Sequence, residues 1–435
     1  MTVLYNFLQK DQNNTGQSPF GRNLTTDPCS WKGVTCNSGN SLITQFSLRF
    51  FSLSNPDFLP LLCQINSLEF IDLSYNHLSS IPNEFMTACR NLGELRGLYF
   101  RQNRLSGSLP NFDGFLKLEN LDLSHNQLNG SIMSDLLSQP NLLTVDLSNN
   151  SLGGSIPINI SSSLRRLRLG RNRLNGTIPS SAFGSLQNLT YLELDNNRLE
   201  GPIPPELGNL SSLQELKLQA NKLAGEIPME ISQLQSLSNL NISWNFLHGS
   251  ISSVSTLQNL AHLDLSGNNL SGSIPHSIGD LYSLIELQLA SNELGGEIPL
   301  MPQSLQIALN LSSNRFEGLI PEALSRLTGL EVLDLSNNRL IGKIPDSLVG
   351  MGSLTQLVLS NNLLSGLIPV FPSHVSVQTI GNKDLIQIEP AHPRSTKANK
   401  EKRILVVSLP CIVLFGLLGN VWGPYYDGKW PPIVV

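Results

Sequence analysis

Leucines and other apolar residues recur along most of the chain in one spacing, L-x-x-L-x-L-x-x-N-x-L, which usually ends in G-x-I-P. The spacing runs from Leu68 to Pro369, and its asparagines are 22 to 27 residues apart. Self-similarity at a fixed period of this size is typical of a solenoid, in which each repeat forms one coil. The thirteen asparagines are Asn76, Asn103, Asn126, Asn150, Asn172, Asn197, Asn221, Asn245, Asn268, Asn292, Asn314, Asn338 and Asn362.

A degenerate unit at 43–53 precedes these thirteen, with Phe51 at the asparagine position. The unit that ends at Asn314 is also imperfect, because Gln306 occupies its first leucine position. The array therefore has about fourteen repeats and fills residues 41–370.

Each part of the unit has a physical task. The alternation in L-x-L predicts a short strand with one buried face, and stacked coils place these strands side by side in a parallel sheet. A buried asparagine has enough donors and acceptors to satisfy turn groups of its own coil and a neighbouring one. No single repeat can bury its leucines alone, so stability comes from neighbours. We therefore interpret the leucines and asparagines as scaffold and look for function among the variable positions.

The unit resembles the leucine-rich repeat, and its L-x-G-x-I-P ending resembles the plant extracellular subtype, over roughly residues 20 to 385. This resemblance implies an α/β fold: a right-handed leucine-rich-repeat solenoid with a parallel concave β-sheet. On the convex side it implies 3-10 turns and short helices.

The segment Asp27–Cys36, DPCSWKGVTC, resembles the paired-cysteine N-terminal cap of plant leucine-rich-repeat receptors. Residues 1–40 are accordingly expected to form this cap. The resemblance implies a disulfide between Cys29 and Cys36 and hence an oxidising compartment.

Two more cysteines, Cys63 and Cys89, occupy the same phase of adjacent coils on the convex side. We expect them to be buried free thiols that pack as small hydrophobic side chains. A bridge between them is the alternative.

The C-terminal part divides into three segments. Residues 371–403 are expected to form a closure and a polar stalk; the segment at 381–385 resembles the family's F-x-G-N-x-x-L-C closure, but Ile386 replaces the cysteine. Residues 404–423 form a segment without a charged residue, and its length is about that of a membrane-spanning helix. A short tail, 424–435, follows.

Topology signals conflict. Met1–Phe20 lacks the apolar core of a signal peptide, and five basic residues between 394 and 403 precede the span, which by the positive-inside rule favours cytosolic repeats. The cap cysteines and eleven N-x-S/T sequons favour an extracellular array at the plasma membrane, from an incomplete or alternatively spliced gene product. We expect glycans at Asn13, Asn23, Asn129, Asn159, Asn175, Asn188, Asn209 and Asn269, whereas use of Asn149, Asn241 and Asn310 is uncertain.

Composition excludes several functions. The chain has 28 Lys and Arg against 33 Asp and Glu, a net charge of −5, which argues against a nucleic-acid partner. It shows no glycine-rich phosphate loop, H-R-D or D-F-G, and no zinc-ligand spacing. We therefore predict neither enzymatic activity nor a metal or cofactor. In plant receptors of this type a kinase domain follows the span, and it is absent here.

Candidate binding residues come from four consecutive repeats that depart from the usual Asp and Ser at the outward positions of the sheet. They are Arg166, Arg168 and Arg171, then Tyr191, Glu193 and Asp195, then Glu215, Lys217 and Gln219, and finally Trp244 beside Asn239 and Asn241. A contiguous band of charged and aromatic side chains on such a sheet is typical of peptide or protein binding. The alternative is a self-paired row, in which Arg168, Glu193 and Lys217 neutralise one another and Arg166 stacks on Tyr191.

We interpret the chain as a membrane-anchored, plant-type recognition protein that binds a peptide or a partner ectodomain and signals through a co-receptor kinase. One alternative is a soluble or wall-bound protein similar to polygalacturonase inhibitors. Another is a truncated fragment of a receptor protein kinase.

Overall fold

The computed structural model describes residues 27–386 together with Leu4. The predicted sequons Asn13 and Asn23, the stalk beyond Ile386, the apolar segment 404–423 and the tail 424–435 lie outside the described residues. Within the described part, no helix is long and apolar enough to cross a membrane.

The L-x-L segments form one sixteen-stranded sheet, here called the concave sheet, in which only the first pair of strands is antiparallel. Its leucines are in register, so that Leu192 lies opposite both Leu167 and Leu216. This confirms the predicted parallel-sheet solenoid. The strands are Val34–Cys36, Ile43–Ser47, Phe70–Asp72, Gly97–Tyr99, Asn120–Asp122, Thr144–Asp146, Arg166–Arg168, Tyr191–Glu193, Glu215–Lys217, Asn239–Asn241, His262–Asp264, Glu286–Gln288, Ala308–Asn310, Val332–Asp334, Gln356–Val358 and Ser376–Gln378.

A second, ten-stranded sheet, here called the lateral sheet, follows the ladder asparagines and was not predicted. Most of its glycines, such as Gly201, have a positive φ, which glycine adopts without a steric cost. The strands are Asn175–Gly176, Arg198–Gly201, Lys222–Glu226, Phe246–Gly249, Asn269–Ser273, Glu293–Gly296, Arg315–Leu319, Arg339–Gly342, Leu363–Leu367 and Asp384–Ile386; a separate pair is Ser106–Ser108 with Gln127–Asn129.

Short helices complete the coils on the convex side, and most begin directly after the proline of the I-P ending, which is the N-cap residue and has an extended backbone. The α-helices are Leu59–Leu62, Asn83–Ala88, Ser134–Leu137 and Ser180–Phe183. The 3-10 helices are Pro28–Ser30, Pro56–Phe58, Cys89–Asn91, Pro205–Asn209, Met229–Gln233, Ser252–Val254, His276–Asp280, Glu322–Arg326 and Asp346–Gly350.

The repeat asparagines form a ladder that joins successive coils. Asn221 is typical: its Nδ2 donates to the carbonyls of Leu194 and Leu218, each at 3.0 Å, and its Oδ1 accepts from the N–H of Leu199 at 3.1 Å. Each rung thus satisfies backbone groups that burial would otherwise leave unpaired. The ladder is the physical link between one coil and the next.

Both ends of the ladder differ from the sequence expectation. At the start, where Phe51 replaces the asparagine, the N–H groups of Phe51 and Leu53 both donate to Oδ1 of Asn76. At the end, Asn382 forms one further rung, since its Oδ1 accepts from Leu364 and its Nδ2 donates to Leu359. The closure therefore continues the ladder in the described part without the family's cysteine.

Two disulfides are present. Cys29–Cys36 confirms the pairing implied by the cap motif. Cys63–Cys89 is also bridged, so the expectation of two free thiols was wrong. The physical reason is that equal phase in adjacent coils places the two Cα atoms 4.7 Å apart, which is within the range that a disulfide spans.

Candidate functional site

The four consecutive strands of the predicted band lie side by side in the middle of the concave sheet. Their central residues Leu167, Leu192, Leu216 and Leu240 are buried, whereas the residues on either side of each leucine point outwards and are partly exposed. We call the outward residues of 166–168, 191–193, 215–217 and 239–241 the concave band. The alternation of the repeat thus places the variable side chains together, as predicted.

Glu193 is the centre of an ionic row across three strands. Its Oε1 lies 3.1 Å from Nε of Arg168 and 3.9 Å from Nζ of Lys217. Nζ of Lys217 also pairs with the carboxylate of Glu215. The Arg168 contact is an ion pair rather than an aligned hydrogen bond, because its Nε has no hydrogen-bond partner. The self-paired row offered by the sequence is therefore formed.

The row continues towards the N-terminus through aspartates that the sequence analysis regarded as the usual residues of the outward positions. Nη1 of Arg168 lies 3.8 Å from Oδ2 of the buried Asp146, which Arg101 approaches to 4.0 Å from the other side. Asp122 lies opposite Asp146 on the next strand. Asp122 and Asp146, which are the usual aspartates of the outward positions, are thus part of the same electrostatic surface.

Burial changes the acidity of this row. It raises the pKa of Glu193, although Lys217 and Arg168 oppose the rise. Burial and the neighbouring Asp146 raise the pKa of Asp122 to about 7. For Lys217 burial acts against the charged form, but the carboxylates around it, Glu193 first, raise its pKa. Lys217 therefore stays charged at any physiological pH, whereas the pKa values of Glu193 and Asp122 lie near physiological pH.

An aromatic contact borders the row. The guanidinium carbon of Arg166 lies 4.2 Å from the ring centroid of Tyr191, as the sequence alternative proposed. The hydroxyl of Tyr191 donates to Oε1 of Gln214 at 3.4 Å. Arg166 and Arg168 are thus both already engaged by neighbours, and the surface is preformed.

Four predicted residues lie apart from the outward face of the band. Asp195 is only 8% exposed and accepts from Nδ2 of Asn196, so it serves the turn. Gln219 is half-buried. Arg171 and Trp244 sit directly before the ladder asparagines, where φ is +56° and +54°, and this turn carries their side chains to the rim of the sheet.

Nearly every coil has a positive φ at this rim position, a feature missed by sequence reasoning because residues as different as tyrosine, glutamine and tryptophan occupy it. Trp244 is 64% exposed, and its ring lies so close to Gly267 that a Cβ there would be 2.8 Å away. With Ala220 at the rim position of the preceding coil, the indole forms an exposed border of the concave band. Among the described residues, no group of three His, Cys, Asp or Glu side chains is placed to hold a metal ion.

Comparisons with known proteins agree with this architecture. The leucine-rich repeat family model matches residues 307–364, the leucine-rich repeat region model matches 152–298, and single repeats match 67–88, 117–138 and 141–162. The leucine-rich repeat N-terminal domain model matches 22–37, which contains the cap disulfide.

Among curated proteins, Receptor-like protein 39 of Arabidopsis thaliana is 31% identical over 216 residues, which cover 44% of this chain and 22% of that protein. The matched part is therefore under a quarter of this relative's length. Among solved structures, a TDR receptor is 32% identical with a TM-score of 0.71, and the match covers 78% of this chain and 64% of that one.

The Arabidopsis receptor kinase HAESA, solved with the peptide hormone IDA and the co-receptor SERK1, is 26% identical with a TM-score of 0.58. That match covers 84% of this chain and 82% of HAESA's. The chain belongs to the leucine-rich-repeat proteins. Within that class its repeats and N-terminal cap are of the kind found in the ectodomains of plant receptor-like kinases and receptor-like proteins.

Proposed function

We propose that the chain is the recognition part of a plant cell-surface receptor-like protein and binds a peptide or a partner ectodomain on the concave band. The observation that carries the proposal is the ionic row around Glu193. It occupies variable outward positions, is partly exposed, and lies on a scaffold similar to that of HAESA, which was solved with a peptide hormone.

The self-paired row is compatible with binding. Ion pairs hold Arg168 and Lys217 in place before a ligand arrives, which lowers the entropy that binding would otherwise cost. Arg168 keeps Asp146 and Lys217 keeps Glu215 when either cation turns from Glu193 to a ligand group, so the exchange leaves neither cation unpaired. The row therefore offers ordered hydrogen-bond donors and acceptors to an extended ligand.

An extracellular position is supported by two disulfides and by the exposure of the sequons. Within the described residues, six predicted acceptors are exposed and lie outside the concave band: Asn129, Asn159, Asn175, Asn188, Asn209 and Asn269. Asn241 is different, because it belongs to the band and its Oδ1 accepts from both the N–H and the hydroxyl of Ser243. Glycans at the six exposed sites leave the band accessible.

We further infer that the chain acts by binding rather than by catalysis, with membrane attachment through 404–423 and signalling through a co-receptor kinase. The support is the match to repeat-type family models, the charge-free segment and the co-receptor present in the HAESA complex.

The test is selection of random displayed peptides on the immobilised full chain. Selected peptides are then measured against Arg168→Gln/Lys217→Gln and against the control Arg104→Gln/Arg339→Gln, which removes the same charge from two exposed arginines outside the band. We expect most peptides to lose at least tenfold affinity for the first variant and to keep it for the control. Equal affinity for both variants, or no selectable peptide, would contradict the proposal.

A further inference from the structure

Three cations occupy the same position in consecutive coils of the lateral sheet: Arg173, Arg198 and Lys222. Each directly follows a ladder asparagine and is exposed. The N–H of Arg173 donates to the carbonyl of Leu152, and that of Arg198 to the carbonyl of Leu174, so the two residues have equivalent orientations. We call these three residues the lateral basic row.

The row has no evident role in folding. Neighbouring strands are about 4.8 Å apart, and each cation is displaced by two residues from the one in the preceding coil, since Arg198 lies opposite Asn175 and Lys222 opposite Glu200. The three like charges therefore form a staggered line along the edge. Within the described part of the chain, none of the three makes an ion pair. By contrast Arg315, at the same position in a later coil, lies 3.1 Å from Glu293. The lateral basic row is thus a charged surface left open by the fold.

The surroundings of the row are polar and open. Glu200 is opposite Lys222 in the sheet but does not approach it to ion-pair distance, and Asn175 lies opposite Arg198. Arg171 adds an exposed cation at the rim of the first coil. The next residue in the series is Phe246, which is 59% exposed. An aromatic ring therefore continues the line of cations along the same edge.

We propose that this edge binds a linear acidic polysaccharide, a polymer with a carboxylate on successive sugar units. A line of cations on successive strands matches an extended polyanion better than a compact anion, which needs converging donors. The exposed face of Phe246 offers an apolar surface on which a sugar ring can pack. Disulfides and exposed sequons favour an extracellular polysaccharide over nucleic acid. This inference is independent of the concave band.

The sequon at Asn175 gives the proposal an additional consequence. Because Asn175 lies opposite Arg198, a glycan there would shield the row. Enzymatic removal of N-glycans from the full chain should therefore raise its affinity for the polyanion, or leave it unchanged where Asn175 is unoccupied. A fall in affinity after glycan removal would contradict the assignment.

The test uses the deglycosylated full chain with polygalacturonate and, as the matched uncharged probe, its methyl ester. We expect binding of polygalacturonate that weakens with salt, and no binding of the ester. Arg173→Gln/Arg198→Gln/Lys222→Gln should reduce affinity at least tenfold, whereas the control Arg104→Gln/Arg339→Gln/Lys343→Gln, with the same net charge, should reduce it less than threefold.

The triple substitution changes only exposed side chains, so unfolding by denaturant should be the same for both variants. Three results would overturn the proposal: no binding of polygalacturonate, equal binding of the methyl ester, or equal losses in the two variants. Selection of peptides by the concave band would be unaffected by any of them.

Discussion

Two rows of polar side chains run across the coils, and they differ in almost every physical respect. The asparagine ladder keeps one residue type, is largely buried, and pairs with backbone groups at nearly constant distances. The row around Glu193 changes residue type from coil to coil, is partly exposed, and pairs side chain with side chain. The difference indicates that the ladder determines the fold, whereas the residues of the ionic row can vary without changing it.

The largest effect should follow from breaking one rung of the ladder. Asn221→Ala leaves the buried N–H of Leu199 without a partner, at a cost of about 1–3 kcal/mol. It also removes one of the two side-chain hydrogen bonds to each of the carbonyls of Leu194 and Leu218, which keep their bonds from Asn197 and Asn245, at about 1 kcal/mol for each lost bond. We expect the free energy of unfolding in urea to fall by about 3 kcal/mol. Gln127→Ala, at an exposed strand position, is the control and should change it by less than about 0.5 kcal/mol. Similar values for the two variants would contradict the structural role of the ladder.

A pH-dependent effect is expected at the end of the ionic row. Because the pKa of Asp122 is about 7 in the folded chain and near 3.8 when unfolded, the folded form holds a proton that the unfolded form has lost. Stability should therefore fall as pH rises from about 4 to 7.

Asp122→Asn should remove this part of the pH dependence and raise the unfolding midpoint at pH 7.5, with little change at pH 4. Asparagine is compatible with the site, since Asn241 and Asn310 make the same bonds to a following serine. Asp334→Asn, which has no acidic neighbour across the sheet, is the control and should give a smaller gain. Thermal unfolding at the two pH values measures both. A loss of stability in Asp122→Asn at pH 7.5 would contradict the electrostatic assignment.

Glu193→Gln should affect stability less than a broken rung does. Arg168 keeps Asp146 and Lys217 keeps Glu215, and the cost of burying the Glu193 carboxylate disappears. We expect a change below about 1 kcal/mol in urea unfolding, together with at least a tenfold loss of affinity for peptides selected on the wild-type chain. A variant that unfolds much more easily but binds normally would assign the ionic row to the scaffold instead.

The smallest change in stability is expected at the rim. Trp244→Ala replaces a largely exposed side chain, and Ala220 shows that alanine adopts the same positive φ in the preceding coil. Unfolding should change by about 0.5 kcal/mol or less. Peptides that contact the border of the concave band should shift the fluorescence of Trp244, so the variant should lose that shift on titration.

Much of the scaffold could be predicted from the sequence because the same residue type has the same structural role in each repeat. The spacing gave the stacked strands, the ladder and the grouping of Arg168, Glu193 and Lys217. It did not predict the rim conformation, because diverse residues such as Trp244 share one φ there. It also undervalued Asp146, whose role depends on cations from two other coils.

Cys63 and Cys89 show where more could have been inferred. Equal phase in adjacent coils already implies a separation close to the strand spacing, which a disulfide can bridge. The lateral sheet is different, since its pairing depends on the stagger between coils. Strand Arg198–Gly201, for example, places Arg198 opposite Asn175 rather than Arg173.

The most direct test is hydrogen exchange of the full chain, measured with and without a peptide selected on it. The account predicts slow exchange of the ladder-bonded N–H groups of Leu174, Leu199 and Leu223 in both states. It predicts new protection on binding only in the segments that contain 166–168, 191–193 and 215–217. Fast exchange at the three leucines, or peptide-induced protection confined to another face, would contradict it.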